Sequence, residues 1–339
     1  MLVSVLITTY NLENYIAEAL DSVLQQETSF PVEILVGDDG SSDGTVEIVQ
    51  EYSRRFPGRI TLYRMPREAG VVYNRVNRSA ANRLNLLEHA KGEYCTFLDG
   101  DDYYIDPKKL QRQADILEKP ENADCVMCAH NLLMAYPDGH EMPLCRAKKE
   151  HKFRLEQYWK LMFLQANAVL FRNIYKEDKP QGALAANFDD NNITFWLFRH
   201  GKMYYLPECM GAYRQVQGSS WNAIDLLKQS ASNMIGYSIE RELAPRFHRI
   251  SDIRHYPDLK YLYEHRQEYR AEELSPFYET AKECGLKWAL GIYHIGEKDN
   301  TGEDRKRSLQ TVRRHLRRGH LGYFFARGNR AVLKLLGKY

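Results

Sequence analysis

The segment AKGEYCTFLDGDD (90–102) decides the fold. Lys91-Gly92 reads as a turn, YCTFL (94–98) as a short strand, and the strand runs directly into Asp99, Asp101 and Asp102. Three carboxylates within four residues repel one another unless a cation sits among them. A hard divalent ion such as Mg²⁺ or Mn²⁺ takes oxygen ligands, usually one or two carboxylates plus substrate phosphates, and neutralises a departing diphosphate. A solvated acidic turn capping the next helix is the alternative for this segment taken alone, and its place after YCTFL favours the metal.

Upstream, apolar runs of strand type alternate with stripes of helical spacing. LVSVLIT (2–8) is a strand, and Ile16, Ala19, Leu20, Val23 and Leu24 share one helical face. Val32–Gly37 is a second strand, followed by a stripe of Val46, Val49, Tyr52 and Phe56 with Asp43 as expected N-cap. RITLY (59–63) is a third strand, a polar helix runs through Asn85, and Asp106-Pro107 opens another helix. This alternation predicts an α/β fold with a mostly parallel sheet covered on both faces, whose ligands bind beyond the carboxyl ends of the strands. Three loops there are rich in polar groups: Thr8–Asn11, Asp38–Gly44 and Asp99–Asp102. In DDGSSDGT (38–45) the glycines permit a tight loop, while a carboxylate suits a ring N–H or a ribose hydroxyl better than a bare phosphate. A hydrophilic turn and helix cap is the alternative for that loop.

Strands are expected again near 124–129, 167–171 and 202–206, with the charged stretch Pro137–Arg154 as an excursion from the core. Beyond Trp221 helical stripes predominate. The expected organisation is a domain over 1–221, its donor half 1–110 and its acceptor half 111–221, then a helical extension over 222–339.

These features resemble the family 2 glycosyltransferases, whose fold is the nucleotide-sugar-binding GT-A type. SVLITTYN (4–11) resembles the family's opening strand and turn, ILVGDDGSSDGT (34–45) its nucleoside-binding loop, and AKGEYCTFLDGDD the approach to its D-x-D metal motif. The resemblance implies that Thr8, Tyr10 and Asp39 contact the nucleoside, while Asp99 and Asp101 place Mn²⁺ or Mg²⁺ and the donor diphosphate, with Asp102 close by. Thr8 stands where the family commonly has proline. Asn82-Arg83-Leu84 stands where the family has A-R-N, so Arg83 is the expected donor-contacting arginine, with Arg75 and Arg78 as alternatives.

An inverting transfer needs a carboxylate to deprotonate the acceptor hydroxyl. FDDNNITFWLFRHGKMYYL (188–206) is similar to the family's acidic pair, helix and glycine, and counting back from Gly201 puts Asp190 on the catalytic aspartate and Asp189 on the acid before it. Carboxylates here also cap the helix well, and a capping role does not exclude a catalytic one. Where the family often carries Y-R-x-H the chain reads Tyr213-Arg214-Gln215-Val216, without the histidine; Arg214 and Gln217 substitute for it or serve the structure.

The resemblance implies a nucleotide-sugar donor, most naturally a UDP-sugar, and a glycan or lipid-linked glycan acceptor. A nonenzymatic nucleotide- or glycan-binding module is the competing class, and it would be expected to lose a metal carboxylate or the base, both of which are present. Phosphoryl transfer through Asp39 or Asp101 is disfavoured by the order of the acidic clusters. Trp221, Tyr158 and Trp159 are aromatic groups that could meet a sugar, with core packing the expected role of Trp221.

The 339 residues, 44% of them hydrophobic and 27% charged, are enough for a large core and exclude disorder and coiled coil. The net charge of +2 conceals an asymmetry. Residues 305–339 hold eleven Lys and Arg and no acid, leaving 36 basic against 45 acidic residues in 1–304, so the body carries −9 and the tail +11. A basic tail with interleaved Tyr, Phe and Leu suits an anionic membrane surface, with a solvated helix or dimer contact as the alternative. Nucleic-acid binding is not expected from an acidic body. No apolar run reaches membrane-spanning length and no secretory signal is visible, so a cytoplasmic protein, peripheral at the inner face of the plasma membrane, is expected. Six cysteines fit reduced thiols, and the C-x-x-C pair Cys125/Cys128 reads as buried strand rather than zinc site.

Overall fold

The computed structural model describes residues 1–68, 70–71, 73–160, 164–216, 225–245, 255–265, 268, 271–283 and 309–317. Gln217, Trp221 and most of the tail 305–339 lie outside the described residues, as do the side chains of Arg75, Tyr158 and Trp159. The chain divides into two compact units, Met1–Gln217 and Gly218–Tyr339.

The first unit is built on one ten-stranded sheet. Four parallel strands form one side: β1 (Val3–Thr9), β2 (Val32–Asp38), β3 (Ile60–Arg64) and β4 (Tyr94–Asp99), in the order β3-β2-β1-β4. The helices α1 (Ile16–Leu24), α2 (Thr45–Arg55) and α3 (Arg75–His89) connect them. On α1 the residues Ile16, Ala19, Leu20 and Val23 are buried, and on α2 Val46, Val49 and Tyr52, the faces that the spacing predicts. Val3, Val5, Ile7, Ile34, Val36 and Leu98 complete that core from the sheet. Each fully buried aliphatic side chain of this kind stabilises the fold by about 1.5–3 kcal/mol.

Beyond β4 the sheet continues through β9 (Val169–Arg172), antiparallel to both neighbours, then β6 (Cys125–Ala135), β10 (Lys202–Arg214) and the two-residue β5 (Tyr103–Tyr104). The strands β6 and β10 run well past the expected ends at 129 and 206, because they pair with each other in parallel up to Arg214 and Ala135. The stretch 137–154 is not wholly an excursion. It contributes β7 (Glu141–Pro143) and β8 (His151–Phe153), which pair with β6 and β10. Cys125 and Cys128 lie buried on β6 as thiols.

A close approach fixes α3 on the sheet. A Cβ on Gly37 would lie 2.0 Å from Asn82 Oδ1, and the Asn82 amide donates to the Gly37 carbonyl at 2.7 Å. Glycine at 37 thus lets α3 settle against β2 with Arg83 directed to the ends of the strands. Two further helices, α4 (Lys109–Glu118) and the short α5 (Gly182–Ala186), precede α6 (Asp190–Phe198), which is anchored by four aromatic rings: Phe188 meets Trp196 at 5.4 Å and Phe97 of β4 at 6.4 Å, and Phe171 of β9 meets Phe97 and Trp196.

The second unit is described as helices Leu226–Leu243, Tyr256–Glu264 and Ala271–Glu283, with a further helix over 309–317. Among the described residues no helix is long and apolar enough to cross a membrane.

Candidate active site

The register of the parallel strands brings their ends to one line. Thr8 lies beside Gly37 and Asp99, and Asp38 beside Thr9 and Arg64. The loops leaving this line are tied to one another. Asn11 adopts a left-handed φ of 53°, its side chain accepts from Ser42 N, and its own N–H donates to Ser41 Oγ. Asp38 is buried and accepts from the N–H groups of Gly40 and Ser41, which turns the chain at Gly40, φ 78°. The expected cap of α2 moves by one residue. Gly44 is the N-cap, and Asp43 instead accepts from Thr45 N and Oγ1, while Glu13 accepts from Gly44 N. With no side chain of its own, Gly44 lets Glu13 come in from the first loop.

One network joins four of the candidate residues. Thr8 Oγ1 donates to Asp99 Oδ1 at 2.6 Å. Arg83, 6% exposed, reaches both oxygens of Asp99 with Nη2 at 3.2 and 3.3 Å, Asp190 Oδ1 at 3.5 Å, and the Phe188 carbonyl with Nη1 at 3.3 Å. Burial works against the Arg83 charge, but Asp99, Asp190 and Asp189 outweigh it and raise its pKa. The guanidinium is thus a fixed cation between the strand-end carboxylate and α6.

The acidic pair divides its work. Asp189 is the N-cap of α6, and its carboxylate accepts from Asn192 N at 2.9 Å. Asp190 occupies the first helical turn and accepts from Ala166 N at 3.2 Å, in the 3₁₀ turn that leads into β9. Burial pushes its pKa up to about 6; Arg83 opposes the rise, and Asp99 and Asp189 add to it. A carboxyl group of that pKa is ionised at neutral pH and takes up a proton readily, as a general base must.

The remaining two acids differ sharply. Among the described residues Asp101 makes no side-chain ion pair, and burial, then Asp99, push its pKa up to about 6. Asp102, 1% exposed, is fully engaged: Oδ1 accepts from Arg214 N, and Oδ2 accepts from the amides of Gln165 and Asn167 at 2.9 and 3.0 Å. Burial and the neighbouring Asp101 and Asp99 raise its pKa well above the ordinary carboxylate range. Asp102 therefore holds the loop from within. Its amide partners carry no motif, and only the three-dimensional structure reveals them. Arg214 completes the support: it donates to the Asp101 carbonyl at 2.7 Å, pairs with Glu18 and packs on the rings of Tyr15 and Tyr103.

The donor set suits a divalent ion that takes most of its ligands from substrate. Among the described residues Asp101 offers a carboxylate with both oxygens uncommitted to other side chains, and Asp99 lies next to it, held by Thr8 and Arg83. Among the described residues no group of three or more His, Cys, Asp or Glu side chains is placed to hold a metal unaided. Mg²⁺ and Mn²⁺ are commonly bound by one or two carboxylates together with phosphate oxygens of a substrate.

Tyr10 and Asp39 share one partner, Arg67. Asp39 is clamped by two arginines, Arg78 Nε on Oδ1 at 2.6 Å and Arg67 Nη2 on Oδ2 at 2.5 Å. Arg67 also donates Nε to the Asp39 carbonyl at 2.7 Å and lies 4.1 Å over the Tyr10 ring. Arg67 and Tyr73, which packs against both arginines, carry no signal in the sequence.

A mixed sheet whose parallel half alternates with helices, followed by a helical region, is the GT-A architecture. The solved structure of Staphylococcus aureus TarS residues 1–349, in complex with UDP-GlcNAc, shares it at a TM-score of 0.60 with 17% identity, over 100% of this chain and 93% of that one. The mannosyltransferase PcManGT of Pyrobaculum calidifontis, in complex with GDP-Man and Mn²⁺, superposes at 0.50 with 15% identity, over 95% and 86% of the two chains. Residues 4–178 match the family model described as Glycosyl transferase family 2, and the chain belongs to that family. Rv1520 of Mycobacterium tuberculosis, an uncharacterized protein, is 31% identical over 228 residues, 65% of this chain. The chain spans 60% of the length of that relative.

Proposed function

We propose that the protein is an inverting glycosyltransferase that moves a sugar from a nucleotide-diphosphate donor, a UDP-sugar, to a glycan or lipid-linked glycan. The observation that carries the reading is the Asp99–Arg83–Asp190 bridge, which couples the D-x-D segment to a carboxylate of pKa about 6. Asp190 removes the proton from the acceptor hydroxyl as its oxygen attacks the anomeric carbon on the face opposite the diphosphate. Arg83 keeps Asp190 in place and spreads positive charge toward Asp99. Asp101, with Asp99 beside it, would hold Mn²⁺ or Mg²⁺, which when bound neutralises the departing diphosphate. Tyr10 and Asp39 would receive the base, and Thr8 fixes Asp99.

The binding of UDP-GlcNAc by TarS and of GDP-Man with Mn²⁺ by PcManGT supports a nucleotide-sugar donor and a divalent ion. In this reading residues 1–110 bind the donor and 111–221 meet the acceptor. The +11 tail lies at an anionic membrane on the cytoplasmic side, where a lipid-linked acceptor would be found.

Calorimetric titration of UDP, GDP and TDP, with and without Mn²⁺, tests the donor site on the wild type and on Asp101→Ala. Mn²⁺-dependent binding of UDP that Asp101→Ala loses is the expected result. Absence of nucleotide binding by the folded wild type would overturn it.

A further inference from the structure

The Tyr10–Asp39 pair is already filled by a group of this chain's own. Tyr10, just past the end of β1, is 41% exposed, and the Arg67 guanidinium lies over its ring at 4.1 Å. A guanidinium is planar and carries N–H groups along its edge, so it can stack on an aromatic face and donate to a carboxylate in the same pose. Arg67 does both: Nη2 to Asp39 Oδ2 and Nε to the Asp39 carbonyl. A pyrimidine base presents the same chemistry, a flat face and a ring N–H.

We propose that Arg67 is an internal stand-in for the nucleobase, which the donor must displace before it binds. The inference rests on the reading of Tyr10 and Asp39 as the base-binding pair. Two observations make the exchange feasible. Arg78 holds Asp39 Oδ1 through Nε and the Met65 carbonyl through Nη2, so Asp39 keeps a cation when Arg67 leaves, and what is released is Oδ2 and the Asp39 carbonyl. Arg67 is also seated by shape: a Cβ on Gly40 would lie 2.9 Å from Arg67 Cγ, so glycine at the turn of the nucleoside loop makes room for the arginine's stem. One N–H donor replaces another on Oδ2, and one planar face replaces another on Tyr10.

The cost is a reduction of apparent affinity by the fraction of molecules in which the place is empty. An arginine seated nine-tenths of the time weakens every base about tenfold, whatever its identity. Arg67 therefore sets the concentration at which donor is captured, while Asp39 sets which bases qualify.

Uridine is the probe, because it carries no phosphate and the loss of a positive charge does not bias its binding. Its affinity is measured by calorimetry for wild type, Arg67→Ala and Arg67→Met, the last keeping the stem that packs on Gly40, with Asp39→Ala as the control for the pair itself. Both Arg67 variants are expected to bind uridine about tenfold more tightly than wild type, and Asp39→Ala to bind it poorly. Unchanged or weaker binding by folded Arg67→Met would overturn the stand-in while leaving the base pair intact, since Asp39→Ala would still differ from wild type. If Asp39→Ala binds uridine as wild type does, the base-binding pair is itself wrong and the stand-in falls with it.

Discussion

Asp190 and Asp101 are both carboxylates whose surroundings disfavour their charge, and each carries a different consequence. Asp190→Asn removes the proton acceptor but keeps the shape, so transfer is expected to fall by about 100-fold or more in a discontinuous sugar-transfer assay while circular dichroism stays unchanged. In the wild type, kcat/KM should decline on the acid side of about pH 6, where Asp190 takes up its proton and ceases to be a base. An activity that holds level down to pH 4.5 would remove Asp190 from that role. Asp101 affects stability in the opposite sense. A carboxylate whose pKa is raised in the folded state stabilises the fold below its ordinary value of about 4 and loses that contribution as pH rises through about 6. Wild-type protein at pH 7 therefore bears a penalty that Asp101→Asn relieves, and the variant should melt a few degrees higher at pH 7 and no higher at pH 4 by differential scanning calorimetry. A gain in stability from removing a putting-together-of-charge residue is the usual mark of a site kept for chemistry.

At the scale of elements, α6 shows how position and reactivity are separated. Asp189 caps the helix through Asn192 N, which leaves Asp190 free of that duty and turned to Arg83. Asp189→Ala should cost about 1 kcal/mol in urea unfolding, whereas Asp189→Ser should cost little because serine caps equally well. The strand–helix alternation of the first hundred residues was legible because half-buried helices and buried strands leave distinct spacings. Two elements were harder to read. The extensions of β6 and β10 depend on pairing between segments some eighty residues apart, and periodicity along either one contains no trace of it. The start of α2 was displaced because Glu13, thirty-one residues away, takes the N–H of Gly44. In the candidate site the same division holds: motif residues such as Asp99 and Asp101 stand out by clustering, while Gln165, Asn167 and Arg67 matter through contacts that only the fold creates.

For the molecule as a whole, the charge division between an acidic body and a basic tail gives a separate test. Deletion of residues 305–339 should abolish co-flotation with liposomes that contain anionic lipid, at low salt, and leave uridine affinity unchanged; undiminished flotation would assign the tail elsewhere. The alignment of strand ends has a consequence for how the sheet assembles. Parallel strands of apolar sequence can pair in several registers, and a slip of two residues keeps the same faces buried while it carries a side chain about 6.6 Å along the strand. Such a slip of β4 against β1 would part Asp99 from Thr8 and draw the carboxylate away from Arg83. The polar residues at the strand ends thus act as a proofreading mark for folding: the same salt bridge that readies the site also rejects the misaligned sheet.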